Sequence, residues 1–593
     1  MREFLKNSYA ARMGLWACLA LGFVLYLILL VQYVNRSPFA RTPMIDSEYY
    51  WTMALATGER GEPFPAMIFS APLYPLLLSL YVAVFSNHLQ GVYAIQLALN
   101  LAAMVLIYKT GSRIFSPSKG LLAGLMLVFY SPFAFHATKI LPDTLGLFLL
   151  SAYLFIFTHP RWSRTIRGNV ALGCVAGAGV LTRPQILLVV FVTMAASIWW
   201  HDESEKLGQT CRRITLVAVA CGAAIFPWSL YVFHQTGRMS FLSPNAGLSF
   251  FEGNNPRARG TYAQVLPDSA VIENRMEQMQ GHASAALKRK VSVLEADRYF
   301  FAQAKDYIRK NPLDWVKLEA LKAFLIMRPS ETHDIYDMYM ERQKFLPVLY
   351  IFFLQWGLVF PLCLIGLYDA LVASRKTLLK AVLPLLLSAA FIIIFMMVFF
   401  VNARYRLLLL PMAVLFASHG AFVLAGWFGN RRVWAGLAGA ALVLLGVAAS
   451  YVPSRVFNSS SEAMAGKSLA MAGRYEEAEM VFSNLLQRDP GPAENQHNLF
   501  LVLLWQGKLN QAAPLLKKLE NNHAYAQSAT YYNQIMAQAR QRFNASPYQD
   551  IVVPTPAYRR FLDEAANAFA ATQGKGVTST ARDIPPRAPA AAP

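Results

Sequence analysis

The sequence predicts an all-α polytopic membrane protein of about eleven transmembrane helices, joined to a small α-helical repeat domain. Three observations predict it. Of the 593 residues 55% are hydrophobic and only 15% charged, where a soluble chain carries roughly a quarter charged residues. Apolar runs near 18 residues recur between residues 14 and 451, each able to cross a hydrocarbon core of about 30 Å at about 1.5 Å per residue. Beyond residue 460, small and apolar residues recur at a spacing of 34, the period of a two-helix repeat.

Taken in order, the apolar segments are 14–34, 71–86, 91–108, 120–137, 143–158, 168–182, 184–200, 214–233, 345–368, 380–401, 407–426 and 433–451. The first begins with Arg2, Lys6 and Arg12 and then runs apolar for about twenty residues. It is too long for a cleaved leader and lacks a small-residue cleavage site, so it reads as an anchor. The net charge of +20 does not imply a nucleic-acid partner, because the basic residues stand in small groups between apolar runs rather than along one face. Four of the five cysteines lie inside apolar runs and the fifth, Cys211, in a short basic loop, which implies neither a disulfide framework nor a zinc site.

Those basic groups set the orientation. Arg2/Lys6/Arg12, Lys109/Arg113/Lys119, Arg161/Arg164/Arg167, Lys206/Arg212/Arg213, Arg375/Lys376/Lys380 and Arg431/Arg432 fall at every second loop, and Lys and Arg beside membrane helices concentrate on the cytoplasmic side. All of them fall inside only if segment 71–86, flanked by proline and ending in Ser86, Asn87 and His88, lies at the outer face without crossing. The expectation is therefore a multi-pass protein of the cell (inner) membrane with a cytoplasmic N-terminus. A membrane module spanning 1–451 has outer loops at 35–90 and 234–344, and everything after 451 is outside.

The first outer loop reads Asp46-Ser47-Glu48-Tyr49-Tyr50-Trp51-Thr52-Met53-Ala54, then Ala71-Pro72-Leu73-Tyr74-Pro75. A carboxylate just outside a membrane helix can take a proton from a hydroxyl while aromatics shape a sugar site. It can equally cap the helix that follows it, with the aromatics at the interface. The pattern Asp-x-x-x-Tyr-x-x-x-Ala followed by Pro-Leu-Tyr-Pro resembles the GT-C glycosyltransferases of the protein mannosyltransferase and aminoarabinose transferase type. Later segments add to the resemblance: Lys139-Ile140-Leu141-Pro142-Asp143, Leu181-Thr182-Arg183-Pro184, Pro227-Trp228, Gly253-Asn254-Asn255-Pro256 and Arg404-Tyr405-Arg406. The similarity spans about residues 14 to 430. Where many relatives have Asp-Glu this chain has Asp46-Ser47, so Glu48 either stands in for the second carboxylate or simply faces solvent. Ser70-Ala71 stands where aminoarabinose transferases carry Lys-Pro, so a phosphate-binding lysine is missing there.

The resemblance implies a GT-C-like fold and a polyprenyl-phosphate-linked sugar donor, attacked with inversion by an acceptor hydroxyl on a protein, lipid or polysaccharide at the outer face. Asp46 is the candidate base, with Glu48 and Asp143 as further catalytic candidates. Lys139, Arg183, Arg404, Tyr405 and Arg406 are candidates for the donor phosphate, since guanidinium forks suit phosphate oxygens. The competing reading is that arginines at helix ends snorkel to the interface. Tyr50, Tyr74, Asn254 and Asn255 are candidates for substrate contact. Asp143 is equally the expected cap of its helix, and Gly253 to Pro256 equally a tight turn. Asp46 and Asp143 could together hold a divalent cation, and metal use stays open.

Helical periodicity covers 268–310 and 313–328 in the large outer loop. Gly473 and Gly507, Ala478 and Ala512, Leu469 and Leu503, and Phe482 and Leu516 are each 34 apart, the tetratricopeptide register, over 460–545. Residues 525–543 are expected to cap the pair, and the domain is expected to bind a peptide or protein partner, the alternative being that it only packs on the large outer loop. From 574 to 593 the composition cannot build a core and predicts a disordered tail. Two rival readings are a lipid-phosphate or polysaccharide transporter and a non-enzymatic scaffold that displays the repeats. The first expects ionisable groups in mid-span, which the helices almost lack; the second leaves the helices and the acidic loop without a task.

Overall fold

The computed structural model describes residues 2–65, 71–199, 207–236, 245–262, 265–266, 272–332, 335–373, 376–429, 432–451, 459–522, 525–543 and 556–573. The expected tail at 574–593, Ser70, Lys206, Arg375 and Arg431 lie outside the described residues. The chain forms two compact units: Met1–Arg36 with Ile45–Ser454, and Ser37–Met44 with Arg455–Pro593. Among the described residues the regular structure is helical, broken only by two isolated bridges, Tyr130 with Leu354 and Thr261 with Val401. All five cysteines are free thiols.

In the first unit each of the twelve apolar segments contains helix, but two depart from a single span: 120–137 is broken at Tyr130 between Pro117–Phe129 and Ser131–His136, and of 345–368 only Trp356–Tyr368 is α-helical, preceded by the single turn Pro347–Tyr350 and by Leu354 bridged to Tyr130. Among the described residues six helices are long and apolar enough to cross a membrane: Met13–Arg36, Leu89–Ile114, Gly208–Gln235, Leu378–Val398, Leu410–Gly429 and Val433–Ser450. The others are shorter, and two of them run on into further helix or turn, Pro117–Phe129 into Ser131–His136 and Trp356–Tyr368 into Asp369–Ala373. Leu73–Phe85 has 13 residues, which reach only about 20 Å. It exposes Leu76, Leu77, Leu80, Val84 and Phe85 along one stripe and packs its other side on the acidic helix Asp46–Gly58.

Local chemistry starts these helices where the sequence suggests. Ser116 accepts a hydrogen bond from the Lys119 amide with Pro117 in the first turn, and Thr165 does the same for the Gly168 amide, each satisfying an orphan donor. The core centres on Leu410–Gly429, whose first eleven residues are all buried. Its neighbours approach closely because glycines face one another. A Cβ on Gly420 would land on the Leu362 carbonyl, and one on Gly366 on the Phe416 carbonyl. Small residues at such crossings are what let membrane helices pack. Gly420→Leu is therefore expected to cost about 1–3 kcal/mol through overpacking and to lower the thermal midpoint of the detergent-extracted protein. Gly426→Ala, whose added Cβ meets nothing within 4 Å, should leave the midpoint unchanged; equal midpoints for both variants would refute this account of the crossing.

The outer loop differs from expectation in one respect. The single helical stretch expected over 268–310 is two helices, Ile272–Leu287 and Val293–Lys310. Lys288 takes a positive φ of 54°, and Ser292 and Glu295 form a reciprocal capping box that starts the second helix. Four exposed hydrogen bonds and charges hold the Glu295 carboxyl down at about 2, led by the Ser292 amide and hydroxyl.

The second unit is a set of antiparallel helix pairs. Ser459–Met471 with Tyr475–Arg488 is followed by Ala493–Trp505 with Leu509–Glu520, then by Ala526–Arg542 and Pro556–Gln573. Gly473 and Gly507 take φ values of 76° and 72° at the two intra-pair turns, a left-handed conformation that costs glycine nothing. Leu469, Ala478, Phe482, Leu503, Ala512 and Leu516 are buried in one core.

Candidate active site

Four segments far apart in sequence bring their charged residues together. Asp46 stands in the first turn of Asp46–Gly58; the cap position is Ile45, with no side-chain cap. The carboxylate turns instead to Arg404, whose Nη1 lies 2.9 Å from Asp46 Oδ2. Arg404 is set by the short helix Ala403–Leu407, which begins because Asn402 accepts a hydrogen bond from the Tyr405 amide. That start is tied to the outer loop, the Val401 amide donating to the Gly260 carbonyl at 2.9 Å. The pair is partly accessible, 18% for Asp46 and 13% for Arg404.

The second acid, Asp143, opens the helix Asp143–Phe157 and pairs closely with Arg183 from the turn after Ile166–Val180. Pro142 occupies the cap position without a side-chain bond, so Asp143 is turned toward the arginine rather than toward its helix amides. Arg404 lies near enough to act on both Asp143 and His136, so the two ion pairs form one cluster. Among the described residues, Asp143 Oδ2 and His136 Nδ1 have no hydrogen-bond partner although buried. No group of three His, Cys, Asp or Glu side chains gathers as a metal site among the described residues; the acids are matched to guanidinium groups instead.

On the other flank, Arg275 and Tyr262 lie within electrostatic reach of Asp46, and Arg275 pairs with buried Glu252. Burial pushes the Glu252 carboxyl up to about 7 against the pull of Arg275. Sequence reading missed His136, Glu252, Tyr262 and Arg275. The pairing of Arg275 with a glutamate 23 residues away carries no short-range signal, and His136 sits in an apolar stretch that reads as core.

Other candidates are placed elsewhere. Glu48 is exposed; two positions along a helix are about 200° of rotation, so it cannot join Asp46 on one face. Lys139 is fully buried with Glu341 at 2.7 Å, beneath the rings of Tyr33, Phe135 and Tyr336 at 4.5–4.7 Å. That environment shields it from a phosphate. Arg406 is 1% exposed and donates to the carbonyls of Arg328, Ser330 and Leu325, with Glu331 at 3.4 Å. It joins the ends of segments, while Arg404, two residues before it, faces the acids. Tyr405 packs against Phe395 and Phe400.

Asn254 donates to the Phe250 and Val398 carbonyls and accepts from Trp315 and Lys322. Asn255 donates to Phe251 and Glu252 carbonyls and accepts from the Arg257 amide. Both asparagines shape a turn and its docking and keep no amide free for a ligand, which corrects their expected substrate role. Tyr50 and Tyr74 are buried edge to face, 5.6 Å between rings, and the Tyr74 hydroxyl donates to Gln96 at 2.9 Å. Gln96 in turn donates to the Ala137 and Lys139 carbonyls, so these rings brace the loop that leads to Asp143.

Residues 69–231 match the sequence model of a family described as dolichyl-phosphate-mannose-protein mannosyltransferase, a span short of half the chain. No curated protein sequence matches the chain. Among solved structures, the fold is similar to the apo oligosaccharyltransferase of Archaeoglobus fulgidus, with a TM-score of 0.42 and 14% identity, covering 78% of this chain and 59% of that one. The archaeal oligosaccharyltransferase AglB of the same organism, in complex with an inhibitory peptide and a dolichol-phosphate, gives 0.39 and 12%, covering 79% of this chain and 60% of that one. ArnT of Cupriavidus metallidurans bound to undecaprenyl phosphate gives 0.40 and 15%, covering 93% and 87%. The chain thus spans about 59% of the first archaeal enzyme's length. Likenesses at this level place no residue of this chain on a residue of theirs.

Proposed function

We propose that the chain is a GT-C-type membrane glycosyltransferase, which moves a sugar from a polyprenyl-phosphate-linked donor to an acceptor hydroxyl on the non-cytoplasmic side, with inversion. The observation that carries the reading is the cluster itself: a part-accessible Asp46–Arg404 pair whose arginine also reaches the Asp143–Arg183 pair. The match to a family named for a dolichyl-phosphate donor agrees with it.

In this reading Asp46 takes the proton of the acceptor hydroxyl as its oxygen bonds to the anomeric carbon. The bond from that carbon to the phosphate oxygen breaks, and its electron pair leaves on the polyprenyl phosphate. Arg404, Arg183 and Arg275 supply fixed positive charge where the leaving phosphate gains negative charge. Asp143 orients Arg183 and stays ionised against it. A donor phosphate entering beside Arg404 competes with Asp46 for the guanidinium, which frees the carboxylate to act as a base only when the donor is seated. The repeats at 460–545 are read as tetratricopeptide-like, suited to a polypeptide acceptor or partner. The membrane module is read with a cytoplasmic N-terminus and eleven crossings.

The test of this reading is lipid binding. Arg404→Met should weaken binding of undecaprenyl phosphate to the protein in nanodiscs at least tenfold, because a charge-assisted contact to phosphate is worth about 1.5–3 kcal/mol. Unchanged affinity in a folded Arg404→Met protein would refute the assignment of the phosphate site.

A further inference from the structure

Two buried polar atoms of the acid cluster stand without partners. His136 closes the short helix Ser131–His136, which packs against both Ala403–Leu407 and Asp143–Phe157. It is 6% exposed, and Asp143 is 3% exposed. The His136 carbonyl accepts from the Lys139 amide at 3.1 Å and its ring meets Phe135 edge to face at 5.4 Å, so backbone and ring are both held. Arg183 takes Asp143 Oδ1, its stem passing over Gly146, where a Cβ would come within 2.8 Å of Arg183 Cγ. Among the described residues, Asp143 Oδ2 and His136 Nδ1 then have no hydrogen bond, to each other or to any other group, although each residue lies within electrostatic reach of the other.

Buried polar groups without partners are destabilising, and few ligand groups could satisfy this pair. A cation would be repelled by Arg183 and Arg404, which already act on His136 and Asp143. A phosphate oxygen brings no proton for the carboxylate and repels it. A hydroxyl satisfies both atoms at once, its oxygen accepting from Nδ1–H and its proton going to Oδ2. Arg404, hydrogen-bonded to Asp46 at 2.9 Å, is the guanidinium at which the proposed reaction holds the donor phosphate. The group that hangs from that phosphate is the sugar to be transferred, and the unpartnered pair lies within reach of the same guanidinium.

We infer that His136 and Asp143 form the subsite that holds a hydroxyl of the transferred sugar, His136 Nδ1 donating and Asp143 Oδ2 accepting, so that the chain selects its donor by the sugar as well as by the lipid phosphate. The inference rests on the reading of the cluster as the donor site. It gives Asp143 a task at each oxygen, Arg183 at one and the sugar at the other. A ring nitrogen and a carboxylate oxygen fixed in place select a hydroxyl at one position of the sugar. A donor lacking that hydroxyl leaves both atoms buried and unpaired, which is how a polar pocket rejects a near neighbour of its substrate.

The test is binding to the full-length protein in nanodiscs, with no acceptor present, of undecaprenyl phosphate either bare or carrying glucose, galactose, mannose, N-acetylglucosamine or arabinose. At least one sugar-bearing lipid should bind about tenfold more tightly than the bare lipid. His136→Phe, which keeps the ring's bulk, should bind that lipid roughly three- to tenfold more weakly than the parent does and the bare lipid equally well. Asparagine carries its amide nitrogen near the place of Nδ1 and glutamine near that of Nε2, so His136→Asn should keep the sugar preference and His136→Gln lose it. Removing one hydroxyl of the preferred sugar should cost the parent more than it costs His136→Phe. Equal affinities of the parent for bare and sugar-bearing lipids, the result expected if water alone bridges the two atoms, would overturn the inference. So would a cost of hydroxyl removal that is the same in both proteins at every ring position. If His136→Phe loses the bare lipid as well, the asparagine and glutamine variants decide, and an equal sugar preference in the two overturns the inference. A parent that binds no undecaprenyl phosphate, or binds it independently of Arg404, brings down the functional reading and this inference with it.

Discussion

Asp46→Asn is expected to reduce glycosyl transfer by roughly 10²- to 10⁴-fold, the usual contribution of a positioned base, with a smaller loss of stability than breaking a fully buried ion pair. The second half of that expectation is as informative as the first. The Asp46–Arg404 pair is mostly buried but keeps some contact with solvent, 18% and 13% exposed, so Arg404 stays partly hydrated when its partner loses its charge and the loss should stay below the about 3–5 kcal/mol of breaking a fully buried pair. Asparagine keeps the shape and one acceptor oxygen for Arg404 but has no proton-accepting charge. Transfer measured in membranes from producing cells, with thermal midpoints on the same preparations, separates the two effects. Near-normal transfer by a folded Asp46→Asn protein would contradict the base assignment. A large fall in midpoint would instead mean that the pair is architectural.

The largest stability effect is expected at Lys139. Lys139→Met leaves Glu341 ionised, 0% exposed and without its cation, and breaking such a buried pair costs about 3–5 kcal/mol. The Nζ also loses three aromatic faces, each worth about 0.5–2 kcal/mol at most. The double variant Lys139→Met, Glu341→Leu removes both charges and should recover most of the loss, because desolvating the pair offset much of its attraction. Thermal midpoints of the single and double variants check this. A single variant as stable as the parent would show that Glu341 is satisfied by other groups. A double variant as unstable as the single one would show that the pair is worth more than its desolvation cost.

These two sites also show which parts of the molecule were legible in the sequence. Helices were, because about 1.5 Å per residue and the thickness of a bilayer leave a long apolar run few alternatives, and all twelve apolar segments contain helix, although in 345–368 the α-helix begins only at Trp356. Polar residues at helix ends were legible as a group, since a charge in an apolar chain stands out. Partner choice was not. Lys139 and Arg404 look alike in sequence, both basic and both beside apolar helices, yet one finds Glu341 across 202 residues and the other Asp46 across 358.

The same holds at closer range. Arg404 and Arg406 read as one unit, but a two-residue step on a helix turns them to different surroundings, the first to Asp46 and the second to backbone carbonyls. Asp46 and Glu48 separate for the same reason. Asn254 and Asn255 offered amides that suit a sugar equally well as a turn, and only the coordinates show both amides committed to neighbouring carbonyls. The break at 288–292 hid because its capping box is formed by residues that also fit a continuous helix.

The central claim is that one lipid phosphate is held at Arg404, which pairs with Asp46 and acts on Asp143 through space. A structure of the full chain with undecaprenyl phosphate bound tests it most directly. The claim predicts the phosphate in hydrogen-bond contact with Arg404, the Asp46 carboxylate released from that arginine, and Asp143 still paired with Arg183. A phosphate seated away from Arg404, with the Asp46–Arg404 pair intact, would contradict it.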